Sequence, residues 1–186
     1  MALPHPEPVP DVQQTGSRMV TSQAGGSSAR FPTVSARTLL GVELALPDGF
    51  PADRTLAVVA FRRWHQARVD RWIARAVAAG VPPTPRGLTG VLPAAVVELP
   101  VLATRWRPVR RFIDGGMTAG IGDPDVLART ITIYTDVGGF QRSLAIQGGE
   151  EVHALVVTRA GTILARGAGD PQDREWDDIL AALRGA

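Results

Sequence analysis

The chain has 186 residues, a formal net charge of +2 and no cysteine. This length suits one domain with a full apolar core, and the lack of cysteine excludes disulfides, thiolate–zinc sites and every thiol-based reaction. All basic residues are arginines, but the net charge lacks the basic excess of a nucleic-acid-binding protein, so we expect no nucleic-acid partner.

The first 30 residues differ in composition from the rest of the chain. They are rich in Pro, Gly, Ser and Gln, which predicts a disordered tail at 1–30 and a folded domain at 31–186. No window approaches the roughly 18 apolar residues of a membrane span, so we expect no integral membrane segment. The start lacks the basic and apolar regions of a secretory signal, and we therefore expect a cytoplasmic protein.

The first predicted elements lead to a strand-to-helix junction. Leu44 and Leu46 alternate with Glu43 and Ala45, which predicts a strand. The continuous apolar run at 55–61 is typical of a strand that is covered on both faces. A helix follows at once and ends near Gly80. Its apolar residues are Val69, Trp72, Ile73, Ala76 and Val77.

The middle of the chain is less regular. The run at 94–99 predicts a second buried strand, and helical spacing predicts a helix from Pro108 that stops at Gly115–Gly116. We expect 115–123 to form a glycine-rich loop between two short helices. It lacks the lysine of a phosphate-binding loop, so we do not expect it to bind a nucleotide. Asp123 precedes Pro124 as the N-cap of a short helix, a β-branched strand follows at 130–136, and Asp136 is placed to cap the next helix.

The C-terminal third predicts a β-hairpin and a closing helix. Two β-rich runs flank the turn at 159–161. Asp170 is the predicted N-cap of the last helix, with Pro171 as its first residue. The apolar stripe of that helix is formed by Trp176, Ile179, Leu180 and Leu183. The order of elements predicts an α/β domain with a central mixed sheet and helices on both faces.

Three stretches carry a resemblance to a known superfamily. "FPTVSARTLLGVELALPD" looks like an opening hairpin, "LAVVAFRRWHQAR" looks like a strand that runs into a W-C-x-x-C helix, and "VHALVVTRAGTILARGAG" is similar to a hairpin that ends in glycine. Together they resemble the thioredoxin-like superfamily, in its peroxiredoxin (AhpC/TSA-like) and thiol-oxidoreductase branch. The resemblance implies a three-layer sandwich. The C-terminal hairpin and helix are also distantly similar to the thioredoxin-fold assembly factor of ATP synthase.

The same resemblance implies that every residue of the family's redox site is replaced. His65 falls at the position of the first cysteine, Arg68 at that of the second, and Val152 at that of the cis-proline. Because disulfide exchange and peroxide reduction begin from a thiolate, we expect a redox-inactive domain without a cofactor.

The resemblance also implies that His65 and His153 lie on adjacent loops and could face one another. A helix start lowers the pKa of an imidazole, so His65 could accept a proton; the favoured alternative is a half-buried residue that packs against Trp64. Two histidines are an incomplete metal site. Asp70 and Asp136 are the nearest further ligands, nothing in their spacing requires a metal, and we predict none.

The arginines at the helix start also have two interpretations. Arg62, Arg63 and Arg68 could hold a carboxylate or phosphate, but the favoured interpretation is a solvated surface on which Arg68 stacks on Trp72.

The sequence is compatible with two functions. The first is a binding or assembly module with a protein partner. Its surface is the sheet edge together with a groove at Trp64, His65, Arg68, Val152 and His153. The alternative is a non-thiol enzyme, or a binder of a small molecule or anion, that uses His65, Arg68 and His153.

Overall fold

The computed structural model describes residues 30–85 and 87–185. The predicted tail therefore lies outside the described residues, apart from Arg30.

The described chain forms seven strands and five α-helices. The strands are β1 (Val34–Thr38), β2 (Glu43–Leu46), β3 (Ala52–Ala60), β4 (Leu92–Ala103), β5 (Ile131–Thr135), β6 (His153–Thr158) and β7 (Ile163–Ala168). The helices are α1 (Gln66–Ala78), α2 (Arg110–Ile121), α3 (Pro124–Arg129), α4 (Val137–Ser143) and α5 (Asp173–Arg184). Short 3-10 turns at Arg63–His65 and Thr104–Val109 precede α1 and α2.

The strands form one mixed sheet of seven strands in the order β2-β1-β5-β4-β3-β6-β7. The central strands β3, β4 and β5 run parallel, and the other neighbouring pairs are antiparallel. Their carboxyl ends therefore meet at one edge of the sheet, where loops of open α/β sheets commonly build binding sites. The turns at 61–65 and 104–109 both lie there.

Apolar side chains cover both faces of the sheet, as the long apolar runs of β3 and β4 predict. On one face, α1 and α5 pack through residues such as Trp72, Ile73 and Ile179. On the other, Phe31, Phe140 and Leu144 pack against β3, β4 and β5. The prediction of a mixed sheet with helices on both faces is confirmed.

The stop of α2 was predicted wrongly. The helix continues through Gly115 and Gly116 to Ile121, so 115–123 is not a loop. Gly122 follows the helix with a φ of +63°, the left-handed conformation that terminates helices and that glycine adopts without strain. A glycine inside a helix costs only about 1 kcal/mol relative to alanine, which is too little to end it.

The start of α5 was also predicted wrongly. The helix begins at Asp173, after an extended Gln172, because the preceding residues are bound to α1. The Asp170 carboxylate accepts a hydrogen bond from Arg71 at 2.6 Å, and the carbonyl of Pro171 accepts one from Arg75 at 3.0 Å. Of the predicted stripe, Trp176, Ile179 and Leu183 are buried, and Leu180 is partly buried.

The two other predicted caps differ in outcome. Asp123 is the N-cap of α3, and its carboxylate accepts a hydrogen bond from the Asp125 amide at 2.8 Å. Asp136 occupies the N-cap position of α4, but its side chain forms no capping hydrogen bond among the described residues. It lies 3.8 Å from Arg142 instead.

Candidate functional site

The candidate site lies where β3 ends and α1 begins. The apolar strand stops at Ala60, a 3-10 turn spans Arg63–His65, and Gln66 opens the helix. Trp64 points into solvent with 57% of its surface exposed, whereas His65 is fully buried. The two rings meet edge-on, with centroids 4.3 Å apart, so His65 packs against Trp64 as expected but is fully buried rather than half-buried.

His65 forms hydrogen bonds with both ring nitrogens. The Phe61 amide donates to Nδ1 at 3.4 Å, and Nε2 lies 3.1 Å from the Glu150 carbonyl oxygen. A neutral imidazole with its proton on Nε2 satisfies both partners, because Nδ1 must accept and Nε2 must donate. His65 therefore joins two backbone segments.

The electrostatic environment favours the same neutral form. Burial lowers the pKa of His65, and the nearby Arg68 and Arg62 lower it further, whereas the carbonyl and carboxylate of Glu150 oppose this effect. The lowered pKa was predicted, but its main cause is desolvation, which disfavours the imidazolium ion.

A loop at 147–151 covers the buried side of His65. Arg62 forms an ion pair with Glu150 at 3.2 Å, and Gln141 Nε2 donates to the Gly148 carbonyl at 2.9 Å. Gly149 lies so close that a Cβ there would come within 3.2 Å of the Phe61 Cβ. Side chains and backbone therefore fill the space behind the helix start.

Val152 and His153 follow this loop. Val152 is fully buried in the apolar cluster beneath α1 and α5, and its carbonyl accepts from the Gly169 amide at 2.9 Å. His153 pairs with Val59 of β3 and is half-buried. Its pKa is lowered, first by burial and then by Arg166 and His65, while Glu151 raises it.

Phe61 contacts both histidines. Its amide bonds to His65, and its ring meets that of His153 edge-on, with centroids 6.4 Å apart. No hydrogen bond joins the two imidazoles in the described part of the chain. The histidines are therefore neighbours that the structure does not combine into a proton-transfer pair.

Trp64 and Arg68 form the exposed part of the predicted groove. The Arg68 guanidinium lies 5.9 Å from the Trp64 ring centroid and 3.8 Å from the Asp170 carboxylate. The expectation that Arg68 stacks on Trp72 was wrong, because Trp72 is fully buried and its indole donates to the Gly169 carbonyl at 3.0 Å.

The suggested additional metal ligands lie apart from one another. Asp70 accepts a hydrogen bond from Gln66 at 3.1 Å, whereas Asp136 is exposed beside Arg142. Among the described residues, no group of three or more His, Asp or Glu side chains is arranged to hold a metal ion.

The sequence interpretation missed a buried acid near this site. Glu98 of β4 is only 5% exposed, and burial raises its pKa, although the nearby polar side chains of Gln66 and Thr130 and the charge of Arg129 oppose the shift. The signal was present in the sequence as one carboxyl within the apolar run "AAVVEL". Such a residue is almost never buried unless it is paired or neutral.

Comparisons with known proteins concern the fold. No protein-family model and no curated protein sequence matches the chain. A structure from Aquifex aeolicus VF5, provisionally described as an electron transfer protein, is similar with a TM-score of 0.55 and 12% identity over 86% of this chain and 99% of that one. BsSco, of the Sco family of cytochrome c oxidase assembly proteins, is similar with a TM-score of 0.53 and 12% identity over 86% of this chain and 94% of that one.

The chain has the thioredoxin-like fold. At such low identity the similarity establishes the fold alone. The chain contains no cysteine. None of the helices in the described ranges is long and apolar enough to cross a membrane.

Proposed function

We propose that this thioredoxin-like domain is a redox-inactive binding or assembly module with a protein partner. One observation carries the proposal: the helix start that bears the resemblance to a thiol site is filled by the hydrogen-bonded His65, while the adjacent Trp64 is 57% exposed. The chain has no thiol, so thiol–disulfide exchange is not available to this surface, and we assign it a role in recognition.

The exposed surface is smaller than the predicted groove. His65 and Val152 are fully buried, so a partner that leaves the domain intact does not touch them. Trp64 and Arg68 remain accessible. Tryptophan and arginine are the residue types most enriched among the dominant contacts of protein interfaces, because they combine a large apolar surface with polar ends.

An assembly role is consistent with one structural neighbour. BsSco belongs to a family of assembly proteins, and our proposal applies that kind of role to the present domain without its specific target. A cytoplasmic location and the absence of cofactor and nucleic acid stay predictions from the sequence.

Partner capture tests the proposal. The tagged full chain is used as bait beside the Trp64→Ala variant and a matched control, Val77→Ala, which removes another exposed side chain from the far end of α1. We expect Trp64→Ala to lose at least one partner that wild type and Val77→Ala retain. Identical partner sets for all three baits would contradict recognition through Trp64.

The alternative of a non-thiol enzyme or anion binder has less support in the geometry. Both nitrogens of His65 are bonded to backbone groups, so the residue has no free base to offer a substrate. Insulin-reduction and peroxidase assays with the purified chain should show no rate above buffer, and a measured turnover would contradict the redox-inactive assignment.

A further inference from the structure

A cleft lies between α5 and the sheet, at the end of β3 that is far from Trp64. Its volume is 570 Å³, which is within the range of about 300–1,000 Å³ that is typical of small-molecule sites. The C-terminal half of α5 forms one wall, and β7 and the start of β3 form the other. Arg54 of β3 precedes Ala60 by six residues, so about 20 Å of strand separate the cleft from the candidate site.

Arg54 brings a positive charge to this cleft. It pairs with Ala94 of β4 and Thr158 of β6 in the sheet, and its side chain is partly buried. No hydrogen bond or ion pair joins its guanidinium to any described residue. Because a guanidinium keeps its proton in proteins, a partly buried one without an anionic partner is unfavourable. The cleft therefore contains a positive charge that an anionic group would neutralise.

The end of α5 lies against this guanidinium. Gly185 follows the helix with a φ of +78°, and a Cβ at this residue would lie 2.7 Å from Nη2 of Arg54. The negative end of a helix dipole attracts cations, which accounts for the close approach. It does not replace a hydrogen-bond acceptor, and the N–H donors of Arg54 have none among the described residues. An acceptor supplied by a ligand would complete this arrangement.

Small and apolar residues form much of the remaining lining. Ala165 of β7 and Ala181 and Ala182 of α5 have short side chains, which leave the space open. Leu164 is 44% exposed and adds an apolar surface beside them. An apolar chain that covered these side chains would remove them from water, which favours binding in proportion to the area covered. The cleft thus combines an apolar lining with one unpaired cation, a combination typical of ligand sites.

Two other charged residues restrict the charge of the ligand. Arg166 lines the cleft, but its guanidinium donates to the Leu144 carbonyl at 2.6 Å. The exposed Asp178 precedes Gly185 in the sequence by about 10 Å of helix, at ~1.5 Å per residue, and places a negative charge near the other end of the cleft. A singly charged carboxylate therefore fits this setting better than a doubly charged phosphate, which Asp178 would repel more strongly.

We propose that this cleft binds a small carboxylic acid with an apolar chain. The carboxylate of the ligand accepts charge-assisted hydrogen bonds from Arg54, and the chain covers Leu164 and the alanines of β7 and α5. This site goes beyond the proposed binding module, because it shares no residue with the surface at Trp64 and Arg68.

An NMR titration with octanoate tests the site. The ¹H–¹⁵N spectrum of the full chain is recorded while sodium octanoate is added, and 1-octanol serves as the uncharged counterpart. We expect octanoate to shift the amide resonances of Ala165, Ala182 and Gly185. The amide resonance of Trp64 should not move. Octanoate should bind at least about tenfold more tightly than octanol, because a hydrogen bond to a charged group contributes that much affinity.

Two substitutions and a matched control locate the contacts. Arg54→Gln should abolish the preference for octanoate, so that octanoate and octanol bind equally. Arg184→Gln removes the same charge from an exposed residue next to Gly185 that lies outside the cleft lining, and it should retain the preference. Ala181→Leu should weaken both ligands at least about fivefold, because the larger side chain takes up part of the space.

Several results would overturn the proposal. Millimolar octanoate that shifts no cleft resonance would exclude the ligand class, and a preference that survives Arg54→Gln would exclude the proposed contact. An equal loss in Arg184→Gln would assign binding to net charge alone. A short apolar peptide that binds more tightly than octanoate with a free C-terminus, but not when amidated, would assign the cleft to the end of a polypeptide. Partner capture with Trp64→Ala concerns a different surface, so either proposal can fail while the other stands.

Discussion

Two buried titratable side chains, His65 before α1 and Glu98 in β4, have different polar surroundings. His65 has one backbone partner for each ring nitrogen. Burial raises the pKa of Glu98 in β4, and the nearby Gln66, Thr130 and Arg129 only partly offset this effect. The imidazole is thus buried in the form that its partners require, whereas the carboxyl pays a desolvation cost whenever it ionises.

We therefore expect His65 to stabilise the fold and Glu98 to destabilise it when its carboxyl is ionised. His65 connects the end of β3 to the loop at 147–151, so its loss should loosen the site. Glu98 supplies no comparable link, so replacing it with a neutral isostere should help the fold. Three substitutions test this difference between the two residues.

The largest effect is expected for His65→Ala. The variant leaves a cavity and removes the partners of the Phe61 amide and the Glu150 carbonyl, which should cost about 2–4 kcal/mol of unfolding free energy. Denaturant unfolding measures the loss. His153→Ala is the control; because His153 is half-buried and no hydrogen bond of its ring is described, it should lose less than half as much.

The cost of His65→Ala should also depend on pH. The folded-state pKa of His65 lies below 6.5, so the folded state binds fewer protons than the unfolded state. The stability that wild type gains from His65 is then present above pH 6.5 and is lost as the pH falls. The difference between wild type and variant should therefore shrink below pH 6.5; a difference that grows there would contradict the neutral assignment.

An intermediate effect of opposite sign is expected for Glu98→Gln. The amide retains hydrogen-bonding capacity without a charge, so we expect a gain of about 1 kcal/mol near pH 7, or roughly 2–4 °C in Tm for a chain of this size. Thermal unfolding measures it. The folded-state pKa of Glu98 lies above 4.5, so wild type loses stability as the pH rises from 4.5 through the folded-state pKa. The stability gained by Glu98→Gln should therefore vanish near pH 4, where the carboxyl is protonated in both states. Destabilisation at neutral pH would show that the ionised carboxylate supports the fold.

The smallest effect is expected for Arg62→Gln. The Arg62–Glu150 pair spans 3.2 Å, but 54% and 72% of the two side chains are exposed, and water screens such pairs. Loss of the pair should cost no more than about 0.5 kcal/mol, measured by denaturant unfolding at low salt. A cost as large as that of His65→Ala would mean that the ion pair, and not the histidine, holds the loop.

The architecture was predictable because its signals are local. The apolar runs of β3 and β4, the hairpin turn at 159–161 and the capping Asp123 each specify a short element by composition alone. Errors arose where the decisive contact is distant in sequence. Asp170 is a residue type typical of an N-cap, but its carboxylate accepts a hydrogen bond from Arg71, which lies 99 residues away in the sequence. Helix α5 therefore begins later, at Asp173.

The candidate site was predicted only in outline for the same reason. Trp64, His65 and Arg68 are close in sequence, so their grouping was predictable. The local sequence does not predict that the Glu150 carbonyl lies against His65 or that Arg68 lies on Trp64. The buried Glu98 was detectable, since a lone carboxyl in an apolar run requires an explanation. The polar side chains near it, Gln66 and Thr130, come from other elements and were not predictable.

The ¹⁵N spectrum of the His65 imidazole shows whether this residue fills the site as a neutral, hydrogen-bonded group. We expect a neutral ring with the proton on Nε2 that persists as the pH is lowered below 6.5. A ring that exchanges tautomers and becomes protonated near pH 6.5 would instead show that the site is open and solvated.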